Sequence, residues 1–198
     1  MKRQVLVIHG ADSFANYEDY LTYLKDYDFG FEDLFSKNWK NFLQEKLGQE
    51  YRVIQPRMPN ESNAKYVEWK IWFEKVFPFL MDDLVLVGHS TGGTFLTKYL
   101  SENRFPNKIK AVFLVAPPFN VDQGRALVEF VLPKSLKKFE GQAGKVFIYH
   151  SKDDPVVDFG ELFKYKKALL TAEIKVFDKR KHFSEQDFPE IIKDIKNL

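Results

Sequence analysis

The chain contains no cysteine. Disulfides, thiolate metal sites and cysteine nucleophiles are therefore excluded, and the cytoplasm is the expected setting. Long apolar runs are missing too. Nothing approaches the roughly 18 residues of a membrane-spanning helix. The first apolar run, Val5-Leu6-Val7-Ile8, is too short for a signal peptide before His9-Gly10 breaks it. An excess of one charge is also absent. Thirty Lys and Arg stand against 28 Asp and Glu, a net charge of +2, which argues against a nucleic-acid partner. No repeat, linker or low-complexity tract interrupts the sequence. What remains is 198 residues, 44% hydrophobic and 29% charged. That suits a single domain spanning 1–198 with a sizeable core.

Strand patterns alternate with helix patterns along that length. Residues 4–8 and 84–87 read as buried strands, and 51–54, 109–115, 145–149 and 173–177 as further strands. Helical spacing covers 36–47, with Ser36 as the cap, and 64–77, with Val67, Ile71 and Phe73 among its apolar positions. It returns at 91–101, 160–170 and 184–196. This order implies right-handed crossovers and a mainly parallel sheet of about six strands between two helical layers. Two segments break the alternation, 12–35 and 117–144. Both leave the C-terminal edge of the sheet, where open α/β folds bind ligands.

The sharpest signal is Leu84-Val85-Leu86-Val87-Gly88-His89-Ser90-Thr91-Gly92-Gly93. An apolar strand runs into Gly-x-Ser-x-Gly, and an amphipathic helix follows. This is the strand, sharp turn and helix that raise a nucleophilic serine above a parallel sheet. Without the flanking strand and helix, the same five residues would be an ordinary tight turn.

A serine hydroxyl needs a base, and the base needs a carboxylate to hold its tautomer. The fold's chain order is Ser, then acid, then His, and the sequence supplies it. Asp153-Asp154-Pro155 follows the fifth strand and His182 follows the sixth. His182 is the candidate base, although Lys179-Arg180-Lys181 also suits an exposed histidine in a basic loop. Asp154, fixed before a proline, is the preferred acid. Asp153 remains an alternative suited to loop hydrogen bonds, and Asp158 is a more distant one. The backbone N–H groups of Thr91 and Ala11 are the candidate oxyanion donors, each worth about 3–4 kcal/mol in the transition state. His9, His89 and His150 also fall at strand ends, but their spacing matches no metal-ligand pattern, and neither metal nor cofactor is expected.

With Gly88-His89-Ser90-Thr91-Gly92, the Asp153-Asp154-Pro155 loop and His182-Phe183 in place, the chain resembles the small α/β-hydrolases of the retinoblastoma-binding-protein-9 and YdeN type. The resemblance spans nearly the whole chain. It implies a compact α/β-hydrolase fold without a large lid domain, serine hydrolase chemistry, and the aspartate before proline, Asp154, as triad acid. Three departures stand out. Many relatives carry Gly where this chain has Lys181. The 12–35 segment is longer than usual. The Leu-x-Cys-x-Glu pattern linked to retinoblastoma binding cannot exist without cysteine.

The 12–35 segment holds eight aromatics and seven acids against Lys25 alone. It reads as a partial cover over an acyl pocket with an acidic rim favouring neutral or cationic substrates. The plainer alternative packs its aromatics into the domain. In 117–144, Ala126, Leu127, Phe130, Val131 and Leu132 suggest a short helix, capping or merely superficial. The expected activity is cleavage of a small acyl substrate (ester, thioester or amide) by a monomer or homodimer. The rival readings are a non-catalytic hydrolase-fold protein that binds a partner, and an aminopeptidase or amidase.

Overall fold

The first strand, β1 (Arg3–Ile8), is apolar without alternation from Val5 onward because both its faces are covered there. Val5 and Val7 join one core, and Leu6 and Ile8 join the other. The computed structural model describes residues 2–122 and 125–198. Met1 and, inside the 117–144 segment, Gln123 and Gly124 lie outside the described residues.

After β1 come α1 (Tyr17–Asp26), α2 (Trp39–Leu47), β2 (Tyr51–Ile54) and α3 (Tyr66–Glu74). Next are β3 (Leu84–His89), α4 (Thr91–Glu102), β4 (Ile109–Val115) and a two-stranded ribbon, β5 (Val121–Asp122) with β6 (Arg125–Ala126). The chain closes with α5 (Lys137–Glu140), β7 (Lys145–Ser151), α6 (Gly160–Ala168), β8 (Glu173–Phe177) and α7 (Pro189–Lys196). Six strands form one parallel sheet in the order β2-β1-β3-β4-β7-β8. Helices α2 and α7 bury Trp39, Leu43, Ile191 and Ile195 on one face, and α3, α4 and α6 bury Trp69, Phe73, Phe95 and Tyr165 on the other. The result is a three-layer α/β/α sandwich around a parallel sheet, as the alternation predicts.

The connection from β1 runs outward to β2 and then returns to the far side of β1 as β3. This reversal opens a crevice at the C-terminal ends of β1 and β3. Gly10 and Ser90 both emerge there.

Several expected boundaries shift for local reasons. Asn38, not Ser36, caps α2. Its Oδ1 accepts from the Lys40 N–H at 3.1 Å, and the Asn41 side chain returns to the Asn38 N–H at 2.9 Å. Helix α3 stops at Glu74, and Phe77–Phe79 forms a separate 3₁₀ turn around Pro78. Val67 and Ile71 face solvent, while Tyr66, Trp69 and Phe73 are the buried row. The closing helix starts at Pro189 rather than Ser184, with proline in its first turn. No helix forms over 126–132. The ribbon ends there, and Leu127 and Phe130 are buried in the core across a turn. Conversely, α1 is a helix inside the 12–35 segment, and none of its residues is buried.

Buried Glu161 of α6 pins the start of the 117–144 segment. Its Oε2 accepts from the N–H groups of Phe119, Asn120 and Val121 at 2.8, 2.6 and 3.2 Å, and its Oε1 pairs with Lys164.

Candidate active site

Ser90 stands between β3 and α4 with φ 54° and ψ −129°, a conformation disfavoured for any residue with a side chain. Surrounding contacts enforce it. The Ser90 N–H donates to the Val115 carbonyl at 2.8 Å, tying the turn to the end of β4. Close packing explains the flanking glycines. A Cβ on Gly88 would lie 2.6 Å from the Gly92 carbonyl oxygen, and one on Gly92 would overlap the carbonyl oxygens of Ile8 and His9. Ser90 is nearly buried and lines a cavity of about 680 Å³ together with His182, His89, Ala11 and Lys40.

His182 lies in the loop after β8, and its Nδ1–H donates to Asp154 Oδ2 at 2.9 Å, with Oδ1 at 3.1 Å. The Asp154 side chain is fully buried. Its Oδ1 also accepts from the N–H groups of Val156 and Val157, which makes the turn over Pro155 a rigid cradle. The Nδ1–H···Asp154 bond leaves Nε2 as the basic nitrogen. Ser90 Oγ and His182 share the cavity without a hydrogen bond between them in this conformation, a distance that often closes only with substrate bound.

Asp153 meets the same loop at its backbone rather than at the imidazole. Its Oδ1 accepts from Ser151 Oγ at 2.6 Å and from the Lys181 N–H at 2.9 Å. The Ser151 hydrogen bond, followed by backbone N–H groups, holds its carboxyl below the usual range. Asp153 therefore braces the histidine loop, while Asp154 touches the histidine. Asp158 accepts from the Gly160 N–H at the start of α6 and lies away from both.

Within the basic run before His182, the middle residue is paired with acidic side chains. Arg180 pairs with Glu185 at 2.7 Å and with both oxygens of Glu190 at 2.6 and 2.7 Å. Lys181 adopts φ 45°, so a lysine occupies the left-handed conformation that glycine fills without strain. Its side chain is exposed, where water screens its charge from the imidazole.

Thr91 and Ala11 are brought together. The Thr91 hydroxyl donates to the Ala11 carbonyl at 2.6 Å. As the first residue of α4, Thr91 has a backbone N–H with no intrahelical acceptor. His9 braces the neighbouring loop, accepting the Met58 N–H on Nε2 at 2.8 Å and facing the Gly10 carbonyl with Nδ1. His150 is buried against Phe159, apart from the cavity that His9, His89 and His182 line, and among the described residues no group of three His, Asp or Glu is placed to hold a metal ion.

The 12–35 segment supplies Tyr23, Leu24, Tyr27 and Phe29 to the cavity. Only Phe14 packs into the core, while Tyr17, Tyr27, Phe29, Phe31 and Phe35 remain largely exposed. Asp12, Asp33 and Glu61 also line the cavity. Sequence reasoning missed Lys40, because a lysine in an amphipathic helix reads as a surface residue. Here Lys40 reaches the cavity, and burial lowers its pKa to about 8.

A parallel six-stranded sheet with a strained serine at the switch point, facing an Asp-held histidine, defines an α/β-hydrolase. Comparison with known proteins agrees. The serine hydrolase family model matches residues 29–189, and the chain belongs to that family. Serine hydrolase RBBP9 of Rattus norvegicus is 23% identical over 178 residues, covering 84% of this chain and 89% of the rat protein. The ydeN gene product of B. subtilis superposes with a TM-score of 0.76 at 18% identity, covering 99% of this chain and 98% of that one. A thioesterase domain from the curacin biosynthetic pathway shares the fold at TM-score 0.62 and 13% identity, over 98% and 91% of the two chains. No helix among the described residues is long and apolar enough to cross a membrane.

Proposed function

We propose that the chain hydrolyses small carboxylic esters, with thioesters and amides as further substrates, through a Ser90-His182-Asp154 triad and an acyl-enzyme. The observation that carries this reading is the His182 Nδ1–H···Asp154 bond, which leaves Nε2 as the basic nitrogen of a residue lining the same cavity as Ser90.

In the first step Ser90 Oγ attacks the acyl carbon while His182 Nε2 takes its proton. Buried Asp154 stabilises the imidazolium. The N–H groups of Thr91 and Ala11 hold the oxyanion. The imidazolium then returns the proton to the leaving group. Water then attacks the acyl carbon as it loses a proton to His182, and the imidazolium returns that proton to Ser90 Oγ as the acid leaves. No cofactor takes part.

The 12–35 segment covers the cavity through Tyr23, Leu24, Tyr27 and Phe29, giving the acyl group an apolar roof. Asp12, Asp33 and Glu61 at the wall favour neutral or cationic substrates over anionic ones. These carboxylates also support aminoacyl amides as a second substrate class. The absence of cysteine fits a cytoplasmic site of action.

Labelling by a fluorophosphonate tests the reading. The native chain is expected to label rapidly, Ser90→Ala not at all, and His182→Ala far more slowly. A folded native chain that fails to label would favour a partner-binding role instead.

A further inference from the structure

We infer that His89, the residue immediately before the nucleophile, positions the catalytic histidine, and that Lys40 fixes the tautomer in which it does so. This rests on the reading of His182 as the general base.

The loop that presents His182 has little regular support. Residues on both sides of His182 take positive φ, 45° at Lys181 and 52° at Phe183. Besides the Asp154 bond to the His182 ring, three bonds from outside hold the backbone of residues 181–183. The Lys181 N–H reaches Asp153, the Trp39 indole N–H reaches the Phe183 carbonyl at 3.0 Å, and His89 Nε2 lies 2.8 Å from the His182 carbonyl. The third bond differs in kind, because His89 belongs to the same sharp turn as Ser90. Nucleophile and base are therefore joined through one side chain, with the imidazole rings of His89 and His182 4.9 Å apart.

The direction of that bond follows from its neighbours. Lys40 Nζ lies 3.2 Å from His89 Nδ1. An ammonium only donates and a carbonyl only accepts. His89 must therefore accept on Nδ1 and donate from Nε2. Burial, with Lys40 and His182 nearby, holds its pKa well below the usual histidine value, so one nitrogen stays free to accept. Among the described residues no carboxylate pairs with Lys40, whose other close neighbour is the Trp39 ring. Lys40 thus stabilises the Nε2–H form, and that form grips the His182 backbone.

The test compares kcat, KM and fluorophosphonate labelling in His89→Ala, His89→Gln and Lys40→Met. A base displaced by a fraction of an ångström to one ångström slows chemistry rather than binding, so His89→Ala is expected to lose about tenfold or more in kcat with a smaller change in KM. His89→Gln carries an amide N–H that can reach the same carbonyl, and it is expected to recover most of that loss. Lys40→Met should fall between the two. If His89→Ala does not fold, His89→Met provides similar bulk without a donor.

The low-field proton NMR signal of the His182 Nδ1–H gives a readout independent of turnover. It is expected to shift or broaden in His89→Ala and to persist in His89→Gln. A folded His89→Ala with kcat within about twofold of native, a His89→Gln as slow as His89→Ala, or an unchanged His182 signal in His89→Ala would each overturn the proposal. A native chain that neither labels nor hydrolyses, yet shows the His182 signal responding to His89 substitutions, would overturn the hydrolase reading and leave the positioning intact.

Discussion

The Thr91 hydroxyl donates a 2.6 Å hydrogen bond to the Ala11 carbonyl. It links the two residues whose N–H groups are proposed to bind the oxyanion, one at the start of α4 and the other in the loop after β1. One side chain thereby holds the geometry of a two-donor site. Thr91→Val keeps the shape and removes the link. A lost hydrogen bond of about 1–1.5 kcal/mol corresponds to roughly a tenfold fall in kcat, because the donors are needed most in the transition state. Steady-state kinetics on a p-nitrophenyl ester checks this, with KM expected to move far less than kcat.

The adjacent aspartates should separate cleanly. Asp154→Asn removes the carboxylate that orients and balances His182, and kcat is expected to fall by roughly 10³–10⁴. Asp153→Asn weakens an acceptor for Ser151 and the Lys181 N–H, so its effect should appear mainly as lower thermal stability with a modest loss of rate. Parallel kinetics and thermal melts on the two variants distinguish them.

Lys181 holds a left-handed backbone with a side chain that gains nothing from it. Lys181→Gly relieves that strain, offset in part by the greater freedom of glycine in the unfolded chain. The net expectation is a stabilisation of about 0.5–1 kcal/mol, or a rise of roughly 1–4 °C in Tm. Differential scanning calorimetry reads it directly.

Glu161 links stability to pH. Burial pushes its pKa up, but the N–H of Asn120, the Lys164 ammonium and the N–H groups of Val121 and Phe119 outweigh burial and leave it lowered from 4.5. The folded pKa lies below the unfolded one, so the ionised carboxylate contributes fully above pH 4.5 and its contribution is lost as pH falls through the folded value. Glu161→Gln is expected to lower stability by about 1–3 kcal/mol at pH 7. The gap to native should shrink as pH falls below 4.5, because the protonated glutamic acid resembles glutamine. Urea unfolding at a series of pH values measures this.

The sheet was legible because its central strands are buried on both faces and carry continuous apolar runs, whereas the edge strands β2 and β8 are only partly buried. Gly88-His89-Ser90-Thr91-Gly92 was legible because close packing at Gly88 and Gly92 admits no side chain. Helix α3 was harder. Its sequence offers two apolar rows, and only packing against Phe95 and Phe130 selects Tyr66, Trp69 and Phe73 over Val67 and Ile71. The 126–132 stretch looks helical from its apolar residues, yet Glu161, 35 residues downstream of Ala126, draws the chain just before it into a ribbon. The proline after Asp154 favoured it over Asp153 as the acid, but adjacency alone could not separate them, since both reach the same loop and differ only in meeting the His182 ring or the Lys181 N–H. Lys40 gave no signal at all, because its distinction arises only where α2 lies against His89.

The measurement closest to the central claim is the intact and peptide mass of the chain quenched during turnover of p-nitrophenyl acetate. The account expects a transient acetyl group on the peptide containing Ser90, absent in Ser90→Ala and persisting longer in a variant with deacylation slowed by Asp154→Asn. Turnover at the native rate in Ser90→Ala, or an acetyl group carried on a different residue, would contradict it.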